Sequence, residues 1–419
     1  LKARLESITG TLADNNFKDL IVYKAVFEQQ ELIEELKKRK TPLQVVLFRG
    51  GSGAGDITKA LKSLPNTHIT IILGGTDDGR SWYVAAQAFN ATGVPDAGKS
   101  LLYLAKDEAV KAFLDSRIIG DDNKMLAEDF RQLLRKLKGE NAELKTESIK
   151  SLYEKVKSIN TDKVNELLKY LEAFQARYQQ EVIQYNQDKA PHKALAFSFD
   201  TIAMRSLAIV GAAWHSQNEG HADYWQAALD KIGELLGIEG NTHRVIFATR
   251  ERKHLMAMLA DGTIYFTETG INEHPKKFDF IGLWLVDRML NIDAFSAEIK
   301  NALGVNLDRV TKPESIKPGA WREIDDTTRR VVQRTKVNKV AEYINDKYSV
   351  DAKEKASDAA REAINMANIM VYCTTTLESN MGSGLIVKGI QDCVANNQKS
   401  LKINFINPTI ETDPRYTRA

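Results

Sequence analysis

Residues 43–75, LQVVLFRGGSGAGDITKALKSLPNTHITIILGG, place two apolar runs on either side of a glycine-rich turn, and this segment constrains the architecture most tightly. The run LQVVLF (43–48) is mostly apolar and stops at glycines. A strand buried on both faces of a parallel sheet reads this way. Residues 56–64 read as a short helix, and Pro65 with Asn66 makes a turn. HITIILGG (68–75) reads as a second buried strand that ends in a glycine pair. Strand, helix and strand of these lengths form a β-α-β unit, the building block of a parallel, doubly wound sheet.

The same order recurs near the other end of the chain. The strand IMVYC (369–373), a polar glycine-containing loop, the helix LIVKGIQDCVANN and the strand LKINFIN (401–407) make a second unit. Helical patterns are expected at 17–40, at 81–90 and from Ser100 onward, with GVPDAG read as a break before the last of these. Residues 126–190 differ in character. Leu167, Leu168, Leu171, Phe174, Tyr178, Val182 and Tyr185 form one apolar stripe among many charges, so this segment reads as a helical insertion. Beyond it, SLAIVGAAW and DKIGELLG look helical, and HRVIFAT (243–249) looks like a strand. HLMAMLADGTIYFTET (254–269) has Asp261-Gly262 between two alternating runs, a hairpin signal. Residues 312–330 are polar and read as a surface crossing, followed by a helix over 351–367. The expected fold is α/β: a Rossmann-like, doubly wound, mostly parallel sheet with a helical insertion. The corresponding division is 1–125 for the first half of the α/β domain, 126–190 for the insertion and 191–419 for the second half.

Bulk properties exclude several classes. The 419 residues are 43% hydrophobic and 27% charged, ordinary values for a globular protein. A net charge of +2 gives no footprint for nucleic acid. Cys373 and Cys393 are too few for a disulfide framework and lack zinc-ligand spacing, so a cytoplasmic location is expected. There is no run of about 18 apolar residues, so no membrane span is expected. The start, LKARLESITG, lacks the apolar region of a signal peptide and lacks Met; residues upstream are expected.

Three segments have the composition of binding loops. Gly50, Gly51, Ser52, Gly53 and Gly55 follow a strand and open a helix. Such glycines let backbone N–H groups approach an anion, and the helix N-terminus adds about half a positive charge. These residues are candidate phosphate ligands; a tight strand-to-helix turn is the other reading. The register misses G-x-G-x-x-G, because the third glycine would fall on Asp56 or Thr58. No Lys-Ser/Thr follows, so this is not a Walker A loop. The second segment, GGTDDGRS (74–81), carries Asp77 and Asp78. Adjacent side chains diverge, so one carboxylate would hold Mg2+ and the other would brace the loop. Arg80 is a candidate phosphate partner. An Asx-turn with a helix cap is the alternative for this segment. The third, CTTTLESNMGSGL (373–385), offers Thr375, Thr376 and Ser379 as hydroxyl ligands, or a polar turn that caps the next helix. The seven histidines show no zinc spacing, and no G-x-S-x-G elbow is present.

The order of these loops resembles the CofD-like superfamily, which contains 2-phospho-L-lactate transferase and the gluconeogenesis factor family that binds UDP-sugars. GGSGAGDITKAL, then GGTDDGRS, then VPDAG follow that order. HLMAMLADGTIYFTETGI (254–271) resembles the family's His-Leu strand, D-G turn and G-E-x-x-I ending, with Thr267 at the glycine and Glu268 and Ile271 matching. ANIMVYCTTTLESNMGSGLIVKGI (367–390) resembles its G-P-G-S-L-Y-T-S loop and L-L-V-P-G-I helix. There Thr376 takes the serine position, Leu377 the leucine and Ser379 the threonine, while Gly389 and Ile390 match. Three departures stand out. The G-D-I-R segment reads Gly98-Lys99-Ser100-Leu101, which leaves Asp96 to stand in for the acid. Asp200 takes the Asn place of G-N-L, and Cys373-Thr374-Thr375 replaces G-P-G. The family usually continues beyond the last strand, so the end at TDPRYTRA is expected to be a truncation.

The resemblance implies an enzyme that binds a nucleoside-diphosphate-linked compound with Mg2+ and transfers a phosphoryl-linked group to an acceptor. The glycine loop would cradle phosphate, Asp77 or Asp78 would hold the metal, Thr375 to Ser379 would grip the nucleotide, and Asp96 is the candidate base. Catalysis would rest mainly on positioning and charge neutralisation. The alternative is a UDP-sugar-binding regulator that catalyses nothing. A nicotinamide oxidoreductase fits worst, given the glycine register and the D-D pair. The expected partner is a nucleotide-linked small molecule, without nucleic acid or membrane, in a homodimer.

Overall fold

The computed structural model describes residues 38, 40–50, 55–76, 82–91, 93–188, 197–267, 270–271, 280–287, 291–309, 329–349, 356–373 and 382–405. The helix expected at 17–40 and the crossing at 312–330 lie almost wholly outside them. The strands, in chain order, are β1 (Leu43–Phe48), β2 (Thr67–Leu73), β3 (His243–Phe247), β4 (Lys253–Leu259), β5 (Thr263–Tyr265), β6 (Phe280–Asp287), β7 (Asp308–Arg309), β8 (Arg329–Val331), β9 (Ile369–Tyr372) and β10 (Leu401–Asn404). They form two five-stranded sheets, ordered β10-β9-β1-β2-β3 and β6-β4-β5-β8-β7. Every pairing in the first sheet is parallel, and every pairing in the second is antiparallel.

β1 is the middle strand of the parallel sheet, and its alternation shows why its sequence is an unbroken apolar run. Val45 and Leu47 face one core, and Val46 and Phe48 face another. The helix Gly55–Lys62 after β1 packs Ile57 and Leu61 on the first core. The helix Ile390–Asn396 between β9 and β10 packs Ile390, Cys393 and Val394 on the second. The two β-α-β units therefore leave opposite faces of the sheet, and β1 and β9 flank the point where the winding reverses. Ligands of doubly wound sheets bind outside the carboxyl ends of the strands at that point.

The segment expected to be an insertion is mostly helical over its described length. Helices Asn123–Leu137, Glu147–Val156 and Thr161–Arg177 are followed by a π-helical turn, Tyr178–Val182, and the helix Ile183–Asp188. The stripe works as expected: Leu167, Leu171, Phe174, Tyr178 and Val182 are buried, in the same core as Val45 and Leu47. Phe174 meets Phe89 and Phe130 edge-on, at 5.3 and 5.8 Å between ring centroids. These helices thus cover one face of the parallel sheet and share its core.

Gly211, in the helix Met204–Asn218, allows a close contact with the helix Thr161–Arg177. A Cβ there would fall 1.9 Å from the carbonyl oxygen of Tyr170 and 3.2 Å from the Phe174 Cβ. Backbone cannot give way as a flexible side chain does. Gly211→Ala is expected to destabilise by about 3 kcal/mol, the upper end for overpacked cores. A denaturant midpoint equal to that of the wild type would show that the two helices separate freely.

The antiparallel sheet lies beneath the second core. Along β4, Leu255, Ala257 and Leu259 face the second core, while Met256 and Met258 face a third. That third core is closed by the helices Ile292–Leu303 and Val337–Ile344, which contribute Phe295, Ile299, Val340 and Ile344. The hairpin expected at Asp261-Gly262 is present as β4 and β5, with Gly262 at φ +92°. β6 and β8 complete a sheet that the sequence patterns did not reveal.

Two expected boundaries need correction. GVPDAG does not break the chain ahead of a helix from Ser100; the helix runs Val94–Leu104, with Pro95 in its first turn and Gly93 preceding it. The missing proline N–H is harmless in a first turn, where that group has no intrahelical partner. LIVKGIQDCVANN is likewise not one helix. A short helix ends at Leu385, and Gly389, at φ +91°, starts the helix Ile390–Asn396. Among the described residues, no helix is long and apolar enough to cross a membrane.

Candidate functional site

The three loops singled out in the sequence begin at the carboxyl ends of adjacent parallel strands. Phe48 at the end of β1 is in register with Ile72 of β2 and with Tyr372 of β9. Neighbouring strands lie about 4.8 Å apart, so the three loop mouths open within roughly 10 Å of one another. Gly51, Ser52, Gly53, Asp77, Asp78, Arg80, Thr375, Thr376 and Ser379 lie outside the described residues. The structure places what anchors them: Arg49, Gly50 and Gly55, Gly74 to Thr76, and Cys373 with Ser383 and Gly384.

The loops are packed against each other at their roots. A Cβ on Gly74 would fall 2.0 Å from the Ser383 hydroxyl oxygen and 2.8 Å from the Gly384 backbone nitrogen. The exit of the late loop therefore sits directly on the entrance of the second. Gly93 N–H donates to the Gly75 carbonyl at 2.9 Å, which ties the helix Val94–Leu104 to the same root.

Directly after β1 lies a buried charged residue that the loop motifs did not point to. Arg49 is only 1% exposed. Its guanidinium lies 4.9 Å from the Tyr103 ring centroid, and its Nη1 is 3.5 Å from the Thr58 hydroxyl. Burial lowers its pKa, while Asp96, Cys373 and Tyr103 act the other way. Arginine remains charged in such sites. The period-2 alternation already contained this placement, because Val45, Leu47 and Arg49 share one face of β1.

Asp96 stands in the first turn of the helix Val94–Leu104 and is buried. Its charge acts on Arg49 and also on Arg205, a second buried guanidinium that pairs with Asp115 at 2.8 Å. Asp96 is thus a countercharge to Arg49 and Arg205. At Gly55 the reason for a glycine is packing, since a Cβ would fall 2.6 Å from the Tyr103 ring. Burial pushes the Cys373 thiol up to about 12 despite the nearby Arg49, so it is a neutral thiol at physiological pH and a poor nucleophile.

A cavity of about 160 Å³ opens on the same edge of the sheet, beyond the end of β3. Trp214, Trp225 and Arg177 line it, with the Arg177 guanidinium 5.6 Å from the Trp214 ring. Arg252 closes one side by donating to the Asn90 carbonyl at 2.9 Å. Among the described residues, no three His, Cys, Asp or Glu side chains are grouped to hold a metal ion.

The fold defines a doubly wound α/β protein in which the roots of three loops meet at the reversal of its winding. Residues 45–417 match the family described as 2-phospho-L-lactate transferase CofD, and the chain belongs to that family. Two crystal structures of a Bacillus halodurans protein, described as a member of the UPF0052 family, are similar to it at 13% sequence identity. They cover 87% of this chain and 68% and 69% of theirs, with TM-scores of 0.47 and 0.48. No curated protein matches the sequence.

Proposed function

We propose that the protein is a Mg2+-dependent transferase that binds a nucleoside-diphosphate-linked substrate in the switch-point crevice and passes its phospho-linked group to an acceptor. The observation that supports this most is the convergence of the three loop roots on β9, β1 and β2. In this reading, backbone N–H groups of Gly50 to Gly53 hold phosphate, aided by the N-terminus of the helix Gly55–Lys62. The buried charge of Arg49 adds positive potential from below. Thr375, Thr376 and Ser379 donate to the nucleotide or its phosphates. Carboxylate oxygens suit Mg2+, and Asp77 or Asp78 would supply them. When bound, the ion would neutralise charge that develops on the transferred group.

A second reading, a UDP-sugar-binding regulator without turnover, is favoured by the replacement of G-P-G by Cys373-Thr374-Thr375 and by Lys99 in an acidic position. Titration calorimetry with GDP and with UDP-glucose, with and without Mg2+, separates the two. A transferase should bind the diphosphate more tightly with Mg2+, by about tenfold or more, and Asp78→Asn should remove that dependence. Equal affinity with and without the ion, together with no turnover, would favour the regulator.

A further inference from the structure

A cavity of about 280 Å³ lies at the opposite end of the strands from the crevice, between the helix Tyr224–Leu235 and the amino-terminal end of β3. β3 is an edge strand of five residues, so roughly 16 Å of strand separates this cavity from the loop roots. Its volume is at the low end for ligand pockets and corresponds to about nine waters at ~30 Å³ each.

Its walls combine three kinds of surface. Leu101, Leu229 and Ile238 form an apolar side. At the base, His243 is 8% exposed, and its Nδ1 is buried with no hydrogen-bond partner. Burial, reinforced by Lys106 and Lys62, holds His243 below its usual pKa, so the ring is neutral at pH 7. Arg244 flanks it and reaches Asp230 at only 3.5 Å, a long contact that leaves most of the guanidinium donors uncommitted to that carboxylate. The third surface is acidic. Asp230 accepts from Gln226 Nε2 at 3.1 Å, and Glu234 stands exposed at the rim. A buried polar ring atom without a side-chain partner is costly in an apolar wall.

We infer that this cavity binds an apolar α-amino acid, with its carboxylate on Arg244 and His243, its ammonium toward Glu234 and Asp230, and its side chain against Leu101, Leu229 and Ile238. A simple anion would meet Glu234 at the rim, and a simple cation would leave most of the Arg244 donors unused. A ligand that carries both charges and an apolar body matches all three surfaces.

The full chain would be titrated with L-leucine and L-phenylalanine by calorimetry, with the His243 ring signals followed by NMR. Saturable binding with a shift of the His243 signals is expected. 4-Methylpentanoate, which lacks the ammonium, and isopentylamine, which lacks the carboxylate, should each bind at least about tenfold more weakly than leucine. Arg244→Gln should lose affinity to a similar extent. Gly240→Phe should abolish binding while the protein stays folded, because a Cβ at Gly240 meets nothing within 4 Å and the ring can fill the cavity. The absence of heat and of His243 shifts with both amino acids at millimolar concentration would overturn the inference. So would leucine binding that survives both substitutions.

Discussion

Arg49→Met is expected to lower stability by about 3 kcal/mol, the lower end of the cost of breaking a buried charge pair. Methionine keeps most of the volume and loses the charge. The guanidinium is almost fully buried, and its charged partner is Asp96. Removing it leaves Asp96 in a buried site with one cation fewer. Arg205 still acts electrostatically with Asp96, which is why the lower end of the range applies. The substitution also removes the contact across the Tyr103 ring, at 4.9 Å, and the bond to Thr58 on the helix that follows the glycine loop. Asp96→Asn in the same background separates charge from packing. If the pair matters, the double variant should be less destabilised than the sum of the singles by about 1 kcal/mol or more. Additive effects in urea unfolding would mean that Arg49 and Asp96 act independently. A single variant within about 0.5 kcal/mol of wild type would mean that the buried charge contributes nothing.

Arg49 also shows what the sequence made legible and what it did not. Strand and helix periods gave the two β-α-β units, because buried parallel strands write their burial on both faces into an unbroken apolar run. β1, β2 and β9 appear within one or two residues of where that pattern puts them. The hairpin was legible through Asp261-Gly262, a purely local signal. β6 and β8 were not, because an antiparallel sheet that is assembled from distant segments has its pairing fixed by contacts with no sequence spacing of their own. Leu43 to Phe48 could be read alone; Arg329 to Val331 becomes a strand only beside Tyr265 and Arg309. The helix start at Val94 is obscured in the sequence because proline and glycine signal a break as readily as a first turn, where proline is a normal start. For the candidate site, loop composition singled out three segments whose roots lie at the ends of adjacent strands. The contacts that lock the loop roots together, Gly74 on Ser383 and Gly55 on Tyr103, join residues far apart in sequence and needed the fold.

Gly74→Ala is expected to weaken binding of a nucleoside diphosphate by about tenfold or more, while costing about 1–3 kcal/mol of stability. Gly74 is in ordinary backbone space, with no positive φ to protect, so any penalty comes from what its new methyl group meets. That is the Ser383 hydroxyl at 2.0 Å, the Ser383 Cβ at 2.8 Å and the Gly384 nitrogen at 2.8 Å. The hydroxyl is the end of a short side chain, but Ser383 is buried, at 2% exposure, and has little room to turn away. The relief is instead a shift of the segment Gly382–Leu385, which carries the exit of the Thr375–Ser379 loop with it. The glycine loop is untouched, so stability and affinity should respond differently. Ser383→Gly in the Gly74→Ala background removes two of the three close contacts and leaves the Gly384 nitrogen, so rescue should be partial. A coupling of about 1 kcal/mol between the two sites is expected in binding measured by calorimetry. If Gly74→Ala binds the diphosphate as wild type does, the late loop takes no part in holding it, and the crevice is formed by the first two loops alone.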